Sequence, residues 1–208
     1  MNRATERGTD RLMMTRCIEL SKASGRAGEY PYGAIICRNG KVVAESINQV
    51  THDRDVTRHA EIVAISRAQK ALAAVSLDDC EIFVNAEPCA FCCYAIRETR
   101  MRRVIYGLSS PHMGGVSKWN VLGDEDISRA MPEVFAPPPE IVSGFMADEV
   151  ARALVEWNPL IGAIMMKRWL FGSAPRVMIG AVQIRPAGLR SRVLGFLRRN
   201  VFDYFGRR

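Results

Sequence analysis

The stretch CEIFVNAEPCAFCCYAI, Cys80–Ile96, changes character in its middle. CEIFVNA is rich in β-branched and aromatic residues and reads as a strand. Pro88 then stands where a helix can open, because its missing N–H costs nothing in a first helical turn. That helix runs to about Glu98. Three of the chain's six cysteines, Cys89, Cys92 and Cys93, fall within five residues of its start. Cys89 and Cys92 are three apart, so on a helix they share a face. The pattern leaves four readings open: a disulfide, a redox pair, a metal site, or small buried side chains.

Working outward, about Asp10–Arg26 reads as a helix with Leu12, Cys17, Leu20 and Ala23 at helical spacing, and Gly25 ends it. In YGAIICRNGKVVAESIN, two β-branched runs flank Asn39-Gly40, the strongest short hairpin signal. HAEIVAISRAQKALAA reads as a helix with Ile62, Ile65, Ala68 and Leu72 along one side, and RVIYGL as a further strand. The order α-β-β-α-β-α-β predicts a sheet covered by helices on both faces, with parallel pairing after the hairpin. Beyond Leu108 the pattern weakens. SSPHMGGVSKWN reads as a loop, APPPE (136–140) as a stiff linker or surface turn, and Ala147–Trp157 as a helix. No internal repeat is visible.

The chain has 208 residues, 48% hydrophobic and 25% charged, the composition of a globular protein with one sizeable core or a core with an appendage. No apolar run approaches the ~20 residues that span a bilayer, so no transmembrane segment is expected. The opening MNRATERGTDRLMM has no signal-peptide core, which makes the cytoplasm the expected location. In that reducing compartment, clustered cysteines lean towards metal binding or catalysis, while Cys17, Cys37 and Cys80 read as small buried side chains. The formal charge of +7 is uneven. From Arg185 onward seven arginines face one acid, Asp203, a net +6; the remaining 22 basic and 21 acidic side chains leave +1.

Two thiolates need partners, and the chain has three histidines. His52 and His112 read as ordinary satisfied histidines. His59 opens the helix HAEIVAI, and two helices of a layered domain can aim their N-termini at one spot. Partial positive charge and free N–H groups there favour thiolates. His59, Cys89 and Cys92 would then form a zinc site with an open fourth position, the arrangement of a catalytic rather than a structural site. Glu61, two residues on, diverges from His59 on the helix. It is better placed beside a metal-bound water than as a fourth ligand, which suits general acid–base work.

His59-Ala60-Glu61 followed by Pro88-Cys89-Ala90-Phe91-Cys92 is the H-x-E, P-C-x-x-C signature of zinc deaminases. Over about Arg11–Asn120 the chain resembles the cytidine/deoxycytidylate deaminase superfamily, including PYGAIICRNGKVVAESIN as its first hairpin. DRDVTRHAEIVAI, LDDCEIFVNAEPC and RRVIYGLSSP are most similar to the guanine deaminase and tRNA adenosine deaminase branch. The resemblance implies an α/β fold, a three-layer α-β-α sandwich around a mixed five-stranded sheet. It implies hydrolytic deamination of a nucleobase or related amino-heterocycle, guanine-like or an aminotriazine. Zinc hydroxide would attack the amine-bearing carbon, with Glu61 as proton shuttle. His59, Cys89 and Cys92 would be the zinc ligands, the Ala60 and Cys89 N–H groups would hold the hydroxide or substrate oxygen, and Asn48 would hydrogen-bond the base.

A tRNA adenosine deaminase and a non-catalytic zinc-stabilised binding module are the competing readings. Two features depart from the branch. Phe91 stands where Met is usual, and the tRNA-editing pattern does not continue cleanly past Gly115. Asp124, Glu125 or Asp126 would be a second catalytic carboxylate or merely a solvated acidic turn. The resemblance also implies a homodimer packed through the helix that includes Cys93–Thr99. Residues 1–158 are expected to form the deaminase domain and 159–208 a basic, partly amphipathic extension. In the extension Leu189, Val193, Phe196, Leu197, Val201 and Tyr204 make one stripe among arginines. That stripe suits docking on its own domain or a partner subunit, RNA, or a membrane surface.

Overall fold

Alternation along the strands sorts the core into two layers. In β1 (Gly33–Arg38), Ala34 and Ile36 point to one side and Ile35 and Cys37 to the other. In β3 (Cys80–Ala86) and β4 (Arg103–Leu108), Ile82, Val84, Val104 and Tyr106 join the first side, and Phe83 and Ile105 the second. Such two-sided burial is what central strands of a covered sheet require. The structure is a computed structural model that describes residues 3–166. With β2 (Lys41–Ile47) and β5 (Glu140–Val142), these strands form one five-stranded sheet ordered β2-β1-β3-β4-β5. β1 runs antiparallel to β2 and β3, whereas β3–β4 and β4–β5 are parallel. The β1–β2 turn uses Asn39 (φ 52°) and Gly40 (φ 74°), the left-handed pair that a two-residue hairpin demands.

Helices α3 (Ala60–Leu72) and α4 (Ala90–Glu98) cover the first side, and α1 (Arg3–Arg26) and α6 (Ala147–Trp157) the second. The three-layer mixed sandwich is therefore as expected. Short helices α2 (Val50–Asp53), α5 (Glu125–Ala130) and α7 (Pro159–Ile164) complete the described elements. No helix among the described residues is long and apolar enough to cross a membrane. The stripe Leu189–Tyr204 and its arginines lie outside the described residues.

Several expectations need correction. α1 starts at Arg3, not near Asp10, and its buried side is Asp10, Met13, Met14, Cys17, Ile18, Ser21 and Ser24. Leu12, assigned to that side, is exposed. The sequence spacing admitted both phases, and Asp10 decides between them. Its carboxylate lies 3% exposed against Arg103, accepting from Nη1 at 2.9 Å and from Nη2 at 2.8 Å. Pro88 stands two residues before α4, which begins at Ala90 with Cys89 as its N-cap. The fifth strand that the resemblance implied is β5, three residues following Pro137-Pro138-Pro139 with almost no periodic signal of their own, an edge added by pairing Ile141 with Val104.

A second buried cation organises the weakly patterned region. Arg97 on α4 is 2% exposed, and its hydrogen bonds go to carbonyls and a hydroxyl. Its Nη1 donates to the carbonyls of Leu122 (2.7 Å) and Asp124 (3.0 Å), and Nη2 to Ala136 (3.0 Å) and to Ser128 Oγ. Burial pushes its pKa down, since water that would solvate the charge is excluded. One side chain thus ties the 121–136 segment to the site-bearing helix.

Removing one partner of a buried ion pair strands the other, at a cost of about 3–5 kcal/mol. Asp10→Ala is expected to lower the unfolding free energy by about that amount in urea titrations. Glu149→Ala, which removes the exposed pair with Arg11, should cost less than about 1 kcal/mol.

Candidate metal centre and active site

Two helix N-termini meet where β3 ends. His59 is the N-cap of α3 and Cys89 the N-cap of α4, both with extended backbone, and neither side chain caps its own helix. Ser, Thr, Asp or Asn would turn back onto the first-turn N–H groups at such positions. Here the side chains turn towards each other instead. Cys92, three residues into α4, completes the group. The His59 Nδ1 atom lies 3.6 Å from Cys89 Sγ and 3.4 Å from Cys92 Sγ, and the two sulfurs are 3.7 Å apart.

These separations test the fit of a metal. Zn–S bonds of 2.3 Å and Zn–N bonds near 2.0 Å at tetrahedral angles place sulfur–sulfur edges at about 3.8 Å and sulfur–nitrogen edges at about 3.5 Å. The observed triangle has that size, and among the described residues it is the one group of donor side chains that could hold an ion. A soft thiolate pair with one imidazole is a zinc donor set. Three protein donors leave a fourth tetrahedral position open.

Electrostatics agree with geometry. The Cys89 thiol is pulled down to about 4 by hydrogen bonding from Cys92 and then from His59. Cys92 is pushed well above its usual range because it gives its proton to Cys89 and because it is buried. His59 is raised, first by its hydrogen bond with Cys89. Glu61, in the first turn of α3, is half-buried, and its pKa is raised by desolvation and then by the Cys89 charge. Its carboxylate lies near enough to Cys89, His59 and Cys92 for each to shift it, so it adjoins the triangle without belonging to it. Phe91 stacks edge-on against the His59 ring, at 5.9 Å between centroids and 90°.

The remaining expected residues fall into two groups. Ala60 is the first helical residue of α3, fully buried, with its N–H among those a helix start leaves unpaired. Asn48 lies just past β2, 4% exposed, its N–H donating to Tyr32 O at 3.1 Å. Cys93 faces the core, its thiol donating to Pro88 O at 3.4 Å. Cys17, Cys37 and Cys80 are buried free thiols, as read. His52 and His112 are exposed rather than buried, and His52 pairs with Asp53. Asp124 accepts from the Asp126 and Ile127 N–H groups as the N-cap of α5, while Glu125 and Asp126 are exposed beside Arg129. That acidic run serves a helix start and a solvated ion-pair cluster.

One residue the sequence reading passed over holds the site's wall. Glu87, buried immediately after β3, accepts from the N–H groups of Ser110 (2.5 Å), Val116 (2.9 Å) and Ser117 (2.6 Å) and from the Ser117 hydroxyl. Gly114 lies flat against this carboxylate, where any Cβ would collide with it. Gly115 N–H also donates to Pro88 O at 2.8 Å. The 109–117 loop is thereby fastened beside Cys89. The available signal was an acid directly before Pro-Cys, with glycines downstream.

Against known proteins, residues 7–108 match the family model of the cytidine and deoxycytidylate deaminase zinc-binding region. The tRNA-specific adenosine deaminase of Aquifex aeolicus is 35% identical over 118 residues, 56% of this chain and 78% of that protein. The guanine deaminase of Bacillus subtilis is 45% identical over 76 residues, 36% of this chain and 49% of that protein. A solved structure from a study of A-to-I editing by tRNA:A34 deaminases at the wobble position matches with a TM-score of 0.60 at 31% identity. It covers 69% of this chain and 99% of its own.

Cys89→Ala is expected to lose zinc, read as metal per chain after dialysis against a weak chelator. One tightly held zinc per chain in that variant would remove Cys89 from the ligand set.

Proposed function

Because this chain belongs to the cytidine and deoxycytidylate deaminase zinc-binding family, we propose that it is a zinc-dependent hydrolytic deaminase of an amino-substituted nucleobase. The observation that carries this reading is the three-donor triangle of His59, Cys89 and Cys92 with a carboxylate, Glu61, beside it but outside it. A purely structural zinc site has no use for that carboxylate, which argues against a non-catalytic module.

His59, Cys89 and Cys92 would hold the zinc, which when bound would supply the Lewis acidity that activates water near neutral pH. Asn48 and the N–H groups of Ala60 and Cys89 bind and orient the heterocycle. Glu61 takes one proton from the attacking water and passes it to the ring nitrogen, then takes the second from the newly added hydroxyl and passes it to the departing amine. Water's oxygen bonds to the amine-bearing carbon, the carbon–nitrogen bond breaks, and ammonia leaves a carbonyl behind. The loop held by Glu87 beside Cys89 limits the competing access of bulk water.

For the substrate, the extent of similarity favours an adenosine presented by tRNA over a free base, reversing the order taken from the sequence. The chain covers 78% of the Aquifex protein and 99% of the solved tRNA:A34 deaminase. A free guanine-like base is the second reading, supported by 45% identity to a guanine deaminase over a shorter stretch. The catalytic domain is residues 1–158, and the arginine-rich 159–208 extension is an RNA-phosphate contact on this reading. A homodimer packed through α4 would cover Phe91 and Tyr94, which are 48% and 50% exposed.

Ammonia release from zinc-loaded protein separates the substrates, with a tRNA anticodon stem-loop carrying adenosine, guanine and an aminotriazine as probes. Glu61→Gln should keep one zinc per chain and lose about 10²–10⁴-fold in kcat. Wild-type turnover in that variant would remove Glu61 from the chemistry. Release from RNA that weakens steeply with salt supports the tRNA reading. Release from guanine alone replaces it. Tyr94→Arg should turn a dimer into a monomer in sedimentation velocity, and a monomeric wild-type protein would discard the dimer.

A further inference from the structure

Beyond Glu61, which already belongs to the reaction, Asp10, Glu29 and Glu87 are deeply buried carboxylates. Asp10 answers Arg103, and Glu87 fastens the 109–117 loop. Glu29 is 3% exposed and, among the described residues, its hydrogen bonds come from neutral donors. It lies in the link between α1 and β1, and it accepts from Asn48 Nδ2 at 2.9 Å, Thr51 N–H at 3.1 Å and His52 N–H at 2.7 Å. Three segments that are apart in sequence are held at one carboxylate. Two of its three bonds cap the short turn α2, which any buried acceptor could do. The third reaches the side chain of Asn48.

That third bond has a chemical consequence. Both Glu29 oxygens accept, Oε1 from His52 N–H and Oε2 from Asn48 Nδ2 and Thr51 N–H, so Asn48 turns its NH₂ edge towards Glu29. An amide held on one side cannot exchange its oxygen and nitrogen edges. The Oδ1 edge and the second Nδ2 hydrogen then keep fixed directions on the rest of the side chain. The peptide of Asn48 is itself fixed, its N–H donating to Tyr32 O. Both backbone and side chain of Asn48 are thus set before any ligand arrives.

We infer that Glu29 is a positioning residue for the deamination reaction: through its hydrogen bond to Asn48 it fixes which amide edge of Asn48 meets the substrate ring. The inference rests on the reading of Asn48 as a substrate-binding residue. Gln at position 29 has nearly the same shape but carries its own NH₂. It can meet Asn48 with either polarity, so Asn48 loses its fixed orientation while the fold keeps its volume.

The test is a double-mutant cycle on full-length, zinc-loaded protein with Glu29→Gln, Asn48→Ala and the pair. The probe is whichever of the adenosine stem-loop and guanine the wild-type protein deaminates. kcat and KM are measured separately, with zinc content and melting temperature alongside. Each single variant should lose about 10- to 100-fold in kcat/KM while holding one zinc per chain. The double variant should fall little below Asn48→Ala alone, because Glu29 acts through a side chain already gone. If the two losses multiply, or if Glu29→Gln lowers only the melting temperature, Glu29 is a cap of α2 and the inference is overturned. If Asn48→Ala alone keeps wild-type kcat/KM, the substrate role of Asn48 fails and takes the role of Glu29 with it. That outcome is distinct from multiplying losses, which spare Asn48.

Discussion

The site depends on where β3 stops. Its last residues are tied from both sides: Asn85 accepts from Gly33 N–H at 3.0 Å and donates to Pro31 O at 2.9 Å, while Glu87 N–H donates to Leu108 O at 2.8 Å. The strand therefore ends against β1 on one flank and β4 on the other. Cys89 begins α4 at a point the sheet defines rather than at a helix end free to fray. β1 carries the hairpin whose second strand leads into Asn48, and the following turn delivers His59 to the start of α3. Donor atoms 30 residues apart in sequence come within hydrogen-bond distance of sulfur because both helix starts are indexed to the same sheet edge.

Around that edge the chain spends buried charge on position. Glu87 fixes a loop, Glu29 an amide and a turn, Asp10 the phase of α1, and Arg97 the 121–136 segment. Each is costly if left unpaired, and each is met by oriented donors or acceptors rather than by water. Arg97 is the extreme case, a guanidinium whose hydrogen bonds go to carbonyls and a hydroxyl. Such groups add little net stability over apolar side chains of similar volume, but they penalise every alternative arrangement of the segments they bind.

The metal triangle itself needed little tertiary information, because its information is local. Cys89 and Cys92 share a face through helix geometry, and His59 and Glu61 occupy a second helix start. The two motifs were legible as residue types at fixed spacing, and so were the hairpin at Asn39-Gly40 and the α6 helix. The phase of α1 was not legible. Leu12 and Met13 both fit an apolar stripe, and a polar residue, Asp10, chose between them through a partner 93 positions away. β5 was not legible either, since a three-residue edge strand is defined by its neighbour and not by its own pattern.

The sequence by itself determined the chemistry: two thiolates, one imidazole and one carboxylate at spacings that suit a three-ligand zinc site, on a strand-to-helix scaffold built by alternation and helical periodicity. These are short-range properties, fixed by dihedral preferences and helix geometry over a few residues. Tertiary structure decided what surrounds that chemistry. The carboxylates of Glu29 and Glu87, the buried cation of Arg97 and the half-exposed faces of Phe91 and Tyr94 have roles set by atoms 19 to 39 residues away or by surfaces left uncovered. A charged residue in a sequence looks the same whether water or three backbone N–H groups will meet it, and only the packed chain supplies the partner.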